Sequence, residues 1–307
     1  MLAYHRIGDA TGQPFDDELF SATADGFREQ LRHLKKHFSV LDAESFLAAM
    51  RNDQLRLDAP SALITFDDGY RDNCDVAMPI LREMGLSAVF FVAAGYVDSP
   101  RLTWWDRVAY VVKSTTRATL TLTYPEARTF NLTDDGTHLT TQRILRLYKR
   151  TPGIDQQAFF NQLERNAEVA VDTVALGRDL FMTWDHVRAL QRAGMEVGGH
   201  TYDHPVLSML PVDQQRRELL QSKTRLEDEV SIPVRLMSYP VGGPTAFSDA
   251  TKGCVREAGY AAAFSYYGGF NRPGRVDPLN IRRMSVDRTD TLRILSSRAS
   301  LANLCLR

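Results

Sequence analysis

The sequence predicts an α/β fold, a distorted (β/α)7-8 barrel with an insertion around residues 101–182. Strand-like and helix-like apolar patterns alternate over residues 2–92, which favours a parallel sheet with helices outside it. This alternation stops near residue 101 and resumes near residue 183. We therefore expect one barrel domain over residues 1–307, in which residues 101–182 form an inserted subdomain or lid.

Apolar runs in the first hundred residues predict strands, and apolar residues spaced three or four apart predict helices between them. The predicted strands are residues 2–4, 38–41, 62–64 and 88–92. The predicted helices are residues 23–37, 43–50 and 74–84. Within the insertion, the alternating residues 119–124 predict a hairpin strand, and residues 144–148 and 159–171 predict helices.

After the insertion the alternation resumes and brings the total to seven or eight strand–helix units. Thr183 is a good N-cap for a helix that ends at Gly194, and Gly259 ends a later helix. The predicted helices are residues 183–193, 212–230, 247–258 and 289–304. The predicted strands are residues 195–198, 234–238, 261–264 and 281–286.

The composition is that of an ordinary globular chain, with 44% apolar and 24% charged residues. The net charge of -1 gives no electrostatic reason to expect a nucleic acid or an anionic membrane as a partner. Cys74, Cys254 and Cys305 form neither a zinc pattern nor a disulfide framework, which favours a reducing compartment. The first residues lack a signal-peptide pattern, and the longest apolar stretch, residues 88–94, is too short to span a bilayer. We therefore expect a cytoplasmic protein without a transmembrane segment.

Two polar motifs each follow a predicted strand. In the first, residues 65–70 (Thr-Phe-Asp-Asp-Gly-Tyr), two adjacent carboxylates end a buried strand, where their charge is costly unless it is used. In the second, residues 198–205, His200 and His204 lie four residues apart and can point the same way. Two histidines and one aspartate make a three-ligand metal site with open positions, and the other aspartate remains available as a base. Either motif alone is commonly a turn or a pair of surface histidines.

These two motifs, in this order and at this separation, resemble those of the polysaccharide deacetylase family, carbohydrate esterase family 4. The resemblance covers most of the chain and is weakest over residues 101–182. It implies a hydrolase that removes the N-acetyl group from an N-acetylated amino sugar. The roles that it implies are a general base at Asp67 and one divalent metal held by Asp68, His200 and His204. The expected metal is zinc, with cobalt, nickel or manganese as alternatives.

The resemblance also implies an oxyanion site and a general acid. The oxyanion donor would be the backbone N–H of Tyr239, in the strand end that Pro240 stops. The family's usual acid is a histidine late in the chain, but no histidine follows His204 in this sequence. The start of the chain resembles the branch of bacterial poly-N-acetylglucosamine deacetylases, whose motifs are circularly permuted, and this assigns the acid to His5. The remaining histidines are His33, His37, His138 and His186.

Three further predictions concern the surroundings of the expected catalytic groups. The family places an arginine beside the base, and we assign Arg283, with Arg71 and Arg235 as alternatives. Trp105, next to Trp104, is either a sugar-stacking platform or part of a pair that anchors the insertion. The loop 271–274 either contacts substrate or is a plain turn.

Competing functions are a non-catalytic carbohydrate-binding barrel, a different metal-dependent amidohydrolase that acts on a small molecule, and a non-haem iron oxygenase. A zincin protease is excluded because Thr201, not glutamate, follows the first histidine. The expected substrate is a polysaccharide, an oligosaccharide, or a lipid-linked or nucleotide-linked precursor. The sequence predicts no oligomeric state.

Overall fold

The structure is a computed structural model, and it describes residues 1–51, 60–269, 271 and 276–290. The predicted closing helix over residues 289–304 lies almost wholly outside the described residues. So does the loop 271–274, apart from Asn271.

Strands and helices follow one another along the described part of the chain. The strands are Leu2–Tyr4 (β1), Arg6–Ile7 (β2), Phe20–Ala22 (β3), Ser39–Val40 (β4), Ser61–Ala62 (β5), Ile64–Phe66 (β6), Val89–Val92 (β7), Thr119–Leu122 (β8), Arg128–Asn131 (β9), Glu196–Gly199 (β10), Leu236–Ser238 (β11), Ala262–Phe264 (β12) and Met284–Ser285 (β13). The α-helices are Ala24–His37 (α1), Ala43–Arg51 (α2), Met78–Glu83 (α3), Trp104–Ser114 (α4), Leu132–Arg150 (α5), Gln156–Ala167 (α6), Thr173–Gly177 (α7), Trp184–Arg192 (α8), Val212–Val230 (α9) and Asp249–Glu257 (α10). Short 3-10 turns are Asp17–Leu19, Ala94–Tyr96 and Leu207–Met209, and a π-helical turn is Asn73–Ala77.

A seven-stranded parallel sheet organises the first of two compact units, which comprises residues 1–9, 18–98 and the described residues from 181 on. The strand order is β12-β11-β10-β7-β6-β1-β13. β13 pairs with β1 and forms one edge of the sheet. Ile281, just before β13, also makes a parallel bridge to Phe264 of β12, which forms the other edge. The predicted α/β barrel is therefore confirmed, with seven strands in its main sheet over the described residues.

Successive side chains along the buried strands point to opposite faces of this sheet. On β7, Phe90 and Val92 belong to the large core beneath the helices, where Phe90 stacks on Phe66 with ring centroids 4.8 Å apart. Val89 and Phe91 belong to the core inside the barrel, together with Ile281. Polar residues in phase with the inner set consequently point into the end of the barrel.

The helices begin where the sequence supplies caps. Thr23 accepts a hydrogen bond from the N–H of Gly26 and caps α1, and Thr183 caps α8 in a capping box with His186. The predicted helix over residues 74–84 differs, because its first turn is π-helical and only Met78–Glu83 is α-helical. Pro79 accounts for part of this change, because it lacks the N–H that would bond to the preceding turn.

The second compact unit comprises residues 10–17 and 99–180. It contains α4 to α7 and the antiparallel hairpin β8–β9, which the alternation over residues 119–124 predicted. Trp104 stacks on Tyr148 with ring centroids 4.6 Å apart, and Phe159 packs edge-on against the same tyrosine. Whether this unit acts as a lid stays a prediction.

Across the described residues, α5 and α9 are the longest helices, and each carries many charged side chains. No helix in this part of the chain is long and apolar enough to cross a membrane.

Candidate metal centre and active site

The polar motifs meet because they follow parallel strands, β6 and β10, that lie on either side of β7 and end at the same edge of the sheet. Asp67 follows β6, His200 follows β10, and His5 follows β1. Each strand is paired in parallel with its neighbour, so their carboxyl ends lie along one rim of the barrel. Residues 198 and 200 face inward; at Gly198 an added Cβ would lie 2.5 Å from the Phe91 ring, so the approach of β10 to β7 requires glycine there.

Asp68, His200 and His204 form a buried three-residue cluster. The Nε2 atoms of His200 and His204 each lie 3.3 Å from Oδ1 of Asp68, and the side chains are 2%, 8% and 4% exposed for His200, His204 and Asp68. The three ligand atoms all lie within 4.8 Å of one another. A tetrahedral zinc ion with bonds of about 2.0–2.1 Å separates its ligands by about 3.3–3.4 Å, so both histidine–aspartate separations match this ion.

The tautomer of His200 also fits a metal ligand. Its Nδ1 lies 2.8 Å from the carbonyl oxygen of Ser238, an acceptor to which this nitrogen must donate. The lone pair of a neutral imidazole then lies on Nε2, the atom that faces Asp68. A histidine fixed by a backbone carbonyl in this way is the common arrangement at metal sites.

Three residues of the cluster loops adopt left-handed backbone conformations without being glycine. They are Asp68 (φ 75°), Thr201 (φ 62°) and His204 (φ 55°). Such conformations are costly for residues with a Cβ, and they persist where the surroundings fix them, as at functional sites.

Asp67 forms a buried ion pair with Arg283. The guanidinium donates to Oδ1 at 2.6 Å and to Oδ2 at 2.7 Å, and the two side chains are 4% and 0% exposed. The same guanidinium donates to Thr65 Oγ1, Ser238 Oγ and the carbonyl oxygen of Ser265. Five hydrogen bonds therefore fix the arginine, and a planar bidentate pair fixes the carboxylate.

The other two arginines considered for this place lie elsewhere. Arg71 pairs with Asp75 at 2.8 Å on a partly exposed surface. Arg235 pairs with Glu44 and Glu196. Of the three, only Arg283 contacts Asp67.

The charges of the cluster shift the pKa values of its members. Burial alone would raise the pKa of Asp67, but Arg283 and His200 bring it below the usual value. Burial likewise opposes ionisation of Asp68, but hydrogen bonds that His200 and His204 donate when their imidazoles are protonated hold its pKa well below the usual value in the metal-free protein. Burial opposes protonation of both imidazoles; the pKa of His204 is lowered, whereas Asp67 and Asp68 raise the pKa of His200. Both carboxylates are therefore ionised at neutral pH.

His5 lies beside these groups and is half-buried. Its charge acts on the pKa values of both Asp67 and Asp68, and its ring meets that of Tyr266 edge-on with centroids 5.3 Å apart. Its backbone is held on both sides, because its N–H donates to Ser21 Oγ and its carbonyl accepts from Asn73 Nδ2.

The other histidines occupy different parts of the molecule. His33 and His37 contact each other on α1, and His186 belongs to the capping box of α8. His138 lies on α5 in the second unit.

The expected oxyanion donor is wrong. The N–H of Tyr239 donates to the carbonyl of Phe264 at 2.9 Å, so the sheet already uses it, and its ring stacks on Phe247. Pro240, the next residue, has no N–H. The next backbone N–H after that of Tyr239 belongs to Val241, which has φ 63° and whose N–H bonds to none of the described residues.

The sugar-stacking reading of Trp105 also fails. The side chain is 5% exposed and packs edge-on against Trp104 within the second unit, so neither ring face is open to a sugar. Asn271 forms two hydrogen bonds with the backbone of Arg282, as a loop anchor does.

Three residues near these groups were not predicted from the sequence. Ser238 and Thr65 accept hydrogen bonds from Arg283, and Val241 has an unbonded N–H among the described residues. The available signal was alternation. Ser238 and Thr65 are polar residues in short buried strands, each in phase with the inward-facing positions.

Comparison with known proteins agrees with this architecture. The polysaccharide deacetylase family model matches residues 55–131 and 123–263. The Streptococcus pyogenes deacetylase PplD, solved in complex with acetate, has a TM-score of 0.62 and 17% identity, with 97% of this chain and 96% of that chain covered. IcaB from Ammonifex degensii has a TM-score of 0.62 and 18% identity, with 97% and 95% covered. A de-N-acetylase from Aggregatibacter actinomycetemcomitans has a TM-score of 0.61 and 15% identity, with 97% and 98% covered. No curated protein matches the chain.

The fold and the Asp–His–His cluster define an α/β-barrel protein with a candidate metal centre. At identities of 15–18% the solved structures show the shared fold alone. The family model covers more than half of the sequence, so the chain belongs to the polysaccharide deacetylase family. Its members are metal-dependent hydrolases that act on the amide bonds of N-acetyl groups.

Proposed function

We propose that this protein is a zinc-dependent deacetylase that removes the N-acetyl group from an amino sugar in a polysaccharide, an oligosaccharide or a precursor of either. The observation that carries the proposal is the adjacency of two differently held carboxylates. Asp68 faces two imidazoles, whereas Asp67 faces a guanidinium. One arrangement suits a metal ligand and the other suits a base.

Asp68, His200 and His204 would hold the metal. The 3.3 Å separations, the burial and the fixed His200 tautomer support this assignment. A bound zinc ion supplies a Lewis acid that polarises the acetyl carbonyl and acidifies water.

Asp67 would be the general base that takes a proton from the attacking water. Arg283 and Ser238 occupy one acceptor site on Oδ1 and two on Oδ2. A carboxylate offers about four such sites, so Oδ1 keeps a lone pair for the proton. Arg283 thus orients the base and leaves it competent.

The N–H of Val241 would stabilise the oxyanion that develops on the carbonyl oxygen. Val241 lies three residues after Ser238, which contacts both Asp67 and His200, so the loop begins at the reacting groups. The Tyr239 N–H donates to the Phe264 carbonyl before this loop, and the Gly242 carbonyl accepts from the Tyr266 N–H after Val241, so the backbone is held on both sides of Val241.

His5 would be the general acid. As the C–N bond of the tetrahedral intermediate breaks, the imidazolium of His5 donates its proton to the leaving amine, and acetate is released. The position of His5 at the end of β1 supports this role, because Tyr4 pairs with Phe66 and Asp67 directly follows Phe66. The backbone tether at Ser21 and Asn73 supports it as well.

Proteins of similar structure support the choice of reaction, since they include a deacetylase in complex with acetate and a de-N-acetylase. The direct test is acetate release from oligomers of N-acetylglucosamine. Protein stripped by a chelator should release none, and reloading with one equivalent of zinc should restore release. Asp67→Asn is the control, because it should keep zinc without turning over. Zinc binding without acetate release would reject these oligomers as substrates.

A further inference from the structure

A carboxylate on α9 holds the loop that carries both histidines of the candidate metal centre. The backbone N–H groups of Tyr202 and Asp203 each donate to Oε2 of Glu218 at 2.9 Å. These two amides lie between His200 and His204, whose ring nitrogens face Asp68.

This loop requires external restraint because its backbone is strained. Thr201 is β-branched and has φ 62°, and His204 has φ 55°, so both adopt the left-handed region that favours glycine. Inside the loop, the His204 N–H donates to Thr201 Oγ1 at 3.1 Å. From outside, the N–H of Gly95 donates to the Tyr202 carbonyl at 2.8 Å.

The contact with Glu218 differs from these because it carries a charge. Two successive N–H groups that converge beside a left-handed residue form a concavity that binds anions. Here the anion belongs to the protein, and the two hydrogen bonds are charge-assisted, which makes them stronger than neutral ones. Glu218 therefore stabilises the conformation in which the two imidazoles converge.

We propose that Glu218 is a positioning residue that sets the metal affinity of the His200–His204 loop. This inference rests on the proposed metal centre, but not on the identity of the substrate. Two histidines bind one ion tightly only if both are already directed at it. Loss of a residue that orients ligands typically lowers metal affinity 10–100-fold.

The experiment measures the zinc dissociation constant of metal-free protein by competition with a chromophoric chelator. Glu218→Ala removes the acceptor, and Glu218→Gln keeps an acceptor oxygen but removes the charge. The matched control is Asp228→Ala, which removes an exposed carboxylate from the same helix. Thermal unfolding of each metal-free variant reports any general loss of stability.

We expect a 10–100-fold weaker zinc affinity for Glu218→Ala, a smaller loss for Glu218→Gln, and no change for Asp228→Ala. Parent-like zinc affinity in Glu218→Ala would overturn the inference, whatever happens to the unfolding temperature. If Glu218→Ala does not fold, Glu218→Gln decides, and a parent-like affinity there overturns it. A parent protein that binds zinc but deacetylates nothing would reject the proposed activity alone. A parent that binds no zinc would overturn the metal centre and this inference together.

Discussion

Replacing Asp67 by asparagine should separate the proposed catalytic role of this carboxylate from its structural role. The substitution keeps the shape of the side chain but leaves the guanidinium of Arg283, which is 0% exposed, without its counter-charge. Removal of one partner from a buried ion pair typically costs about 3–5 kcal/mol of unfolding free energy. Loss of a general base typically lowers the rate by about 10²–10⁴-fold.

The matched control is Asp75→Asn. Asp75 pairs with Arg71, but the two side chains are 45% and 40% exposed, so water screens the interaction. We expect a loss of less than about 1 kcal/mol and unchanged turnover. Urea unfolding gives the free energies, acetate release gives kcat, and metal analysis gives the zinc content.

The stability difference between the parent and Asp67→Asn should also depend on pH. The pKa of Asp67 in the folded protein lies below the ordinary 3.8. Its ionised form therefore stabilises the fold fully above about pH 4, and this contribution is lost as the pH falls through the folded pKa. In metal-free protein, the difference in unfolding free energy between the parent and Asp67→Asn should become smaller below about pH 4.

Three results would refute this reasoning. Normal kcat in Asp67→Asn would remove Asp67 from the role of base. Loss of zinc from the same variant would contradict the assignment of the metal to Asp68 and the two histidines. If Asp67→Asn lost no more stability than Asp75→Asn, the buried Asp67–Arg283 pair would contribute no more to stability than the exposed Asp75–Arg71 pair.

Three further predictions use the same assays. His5→Ala should keep one equivalent of zinc and lower kcat by about 10²–10⁴-fold, with His33→Ala as the control; an unchanged kcat would transfer the acid role to another group. Val241→Gly should relieve the left-handed strain at φ 63° and raise stability by about 1 kcal/mol with kcat within threefold, because the N–H remains; a tenfold fall in kcat would show that the valine side chain acts in the site. Zinc at about 100 times its dissociation constant should add about 2.7 kcal/mol to the unfolding free energy, and equal stability with and without zinc would contradict binding to the folded state.

Local patterns were sufficient for the two motifs and for most helices of the first unit, but not for the helices between residues 101 and 182. The helix over residues 212–230 was predicted to the residue, because an amphipathic repeat and its ends are local properties. The expected strand–helix alternation matches the parallel sheet for a similar reason, since parallel neighbours need a crossover between them. The clustering of Asp68, His200 and His204 also followed, because each motif ends a strand and parallel strand ends share one rim.

Local patterns do not predict hydrogen bonds between segments that are distant in sequence. The Tyr239 N–H was expected to face substrate, but β12 uses it, and only the pairing of β11 with β12 decides which amide is left. A tryptophan can serve either a sugar-binding surface or a core, so its residue type does not predict burial. The burial of Trp105 depends on packing within its unit.

By itself, the sequence determined the fold class and the two polar motifs, because these depend on residue type and on spacing within each segment. The separate roles of Asp67 and Asp68 came from the resemblance to the family. Only the tertiary structure decided that Arg283 rather than Arg71 or Arg235 meets Asp67, across 216 positions of chain. The same holds for Glu218, whose carboxylate reaches the histidine loop from α9. A side chain's partner is fixed by strand order and helix packing, and these bring together residues whose separation in sequence carries no periodic signal.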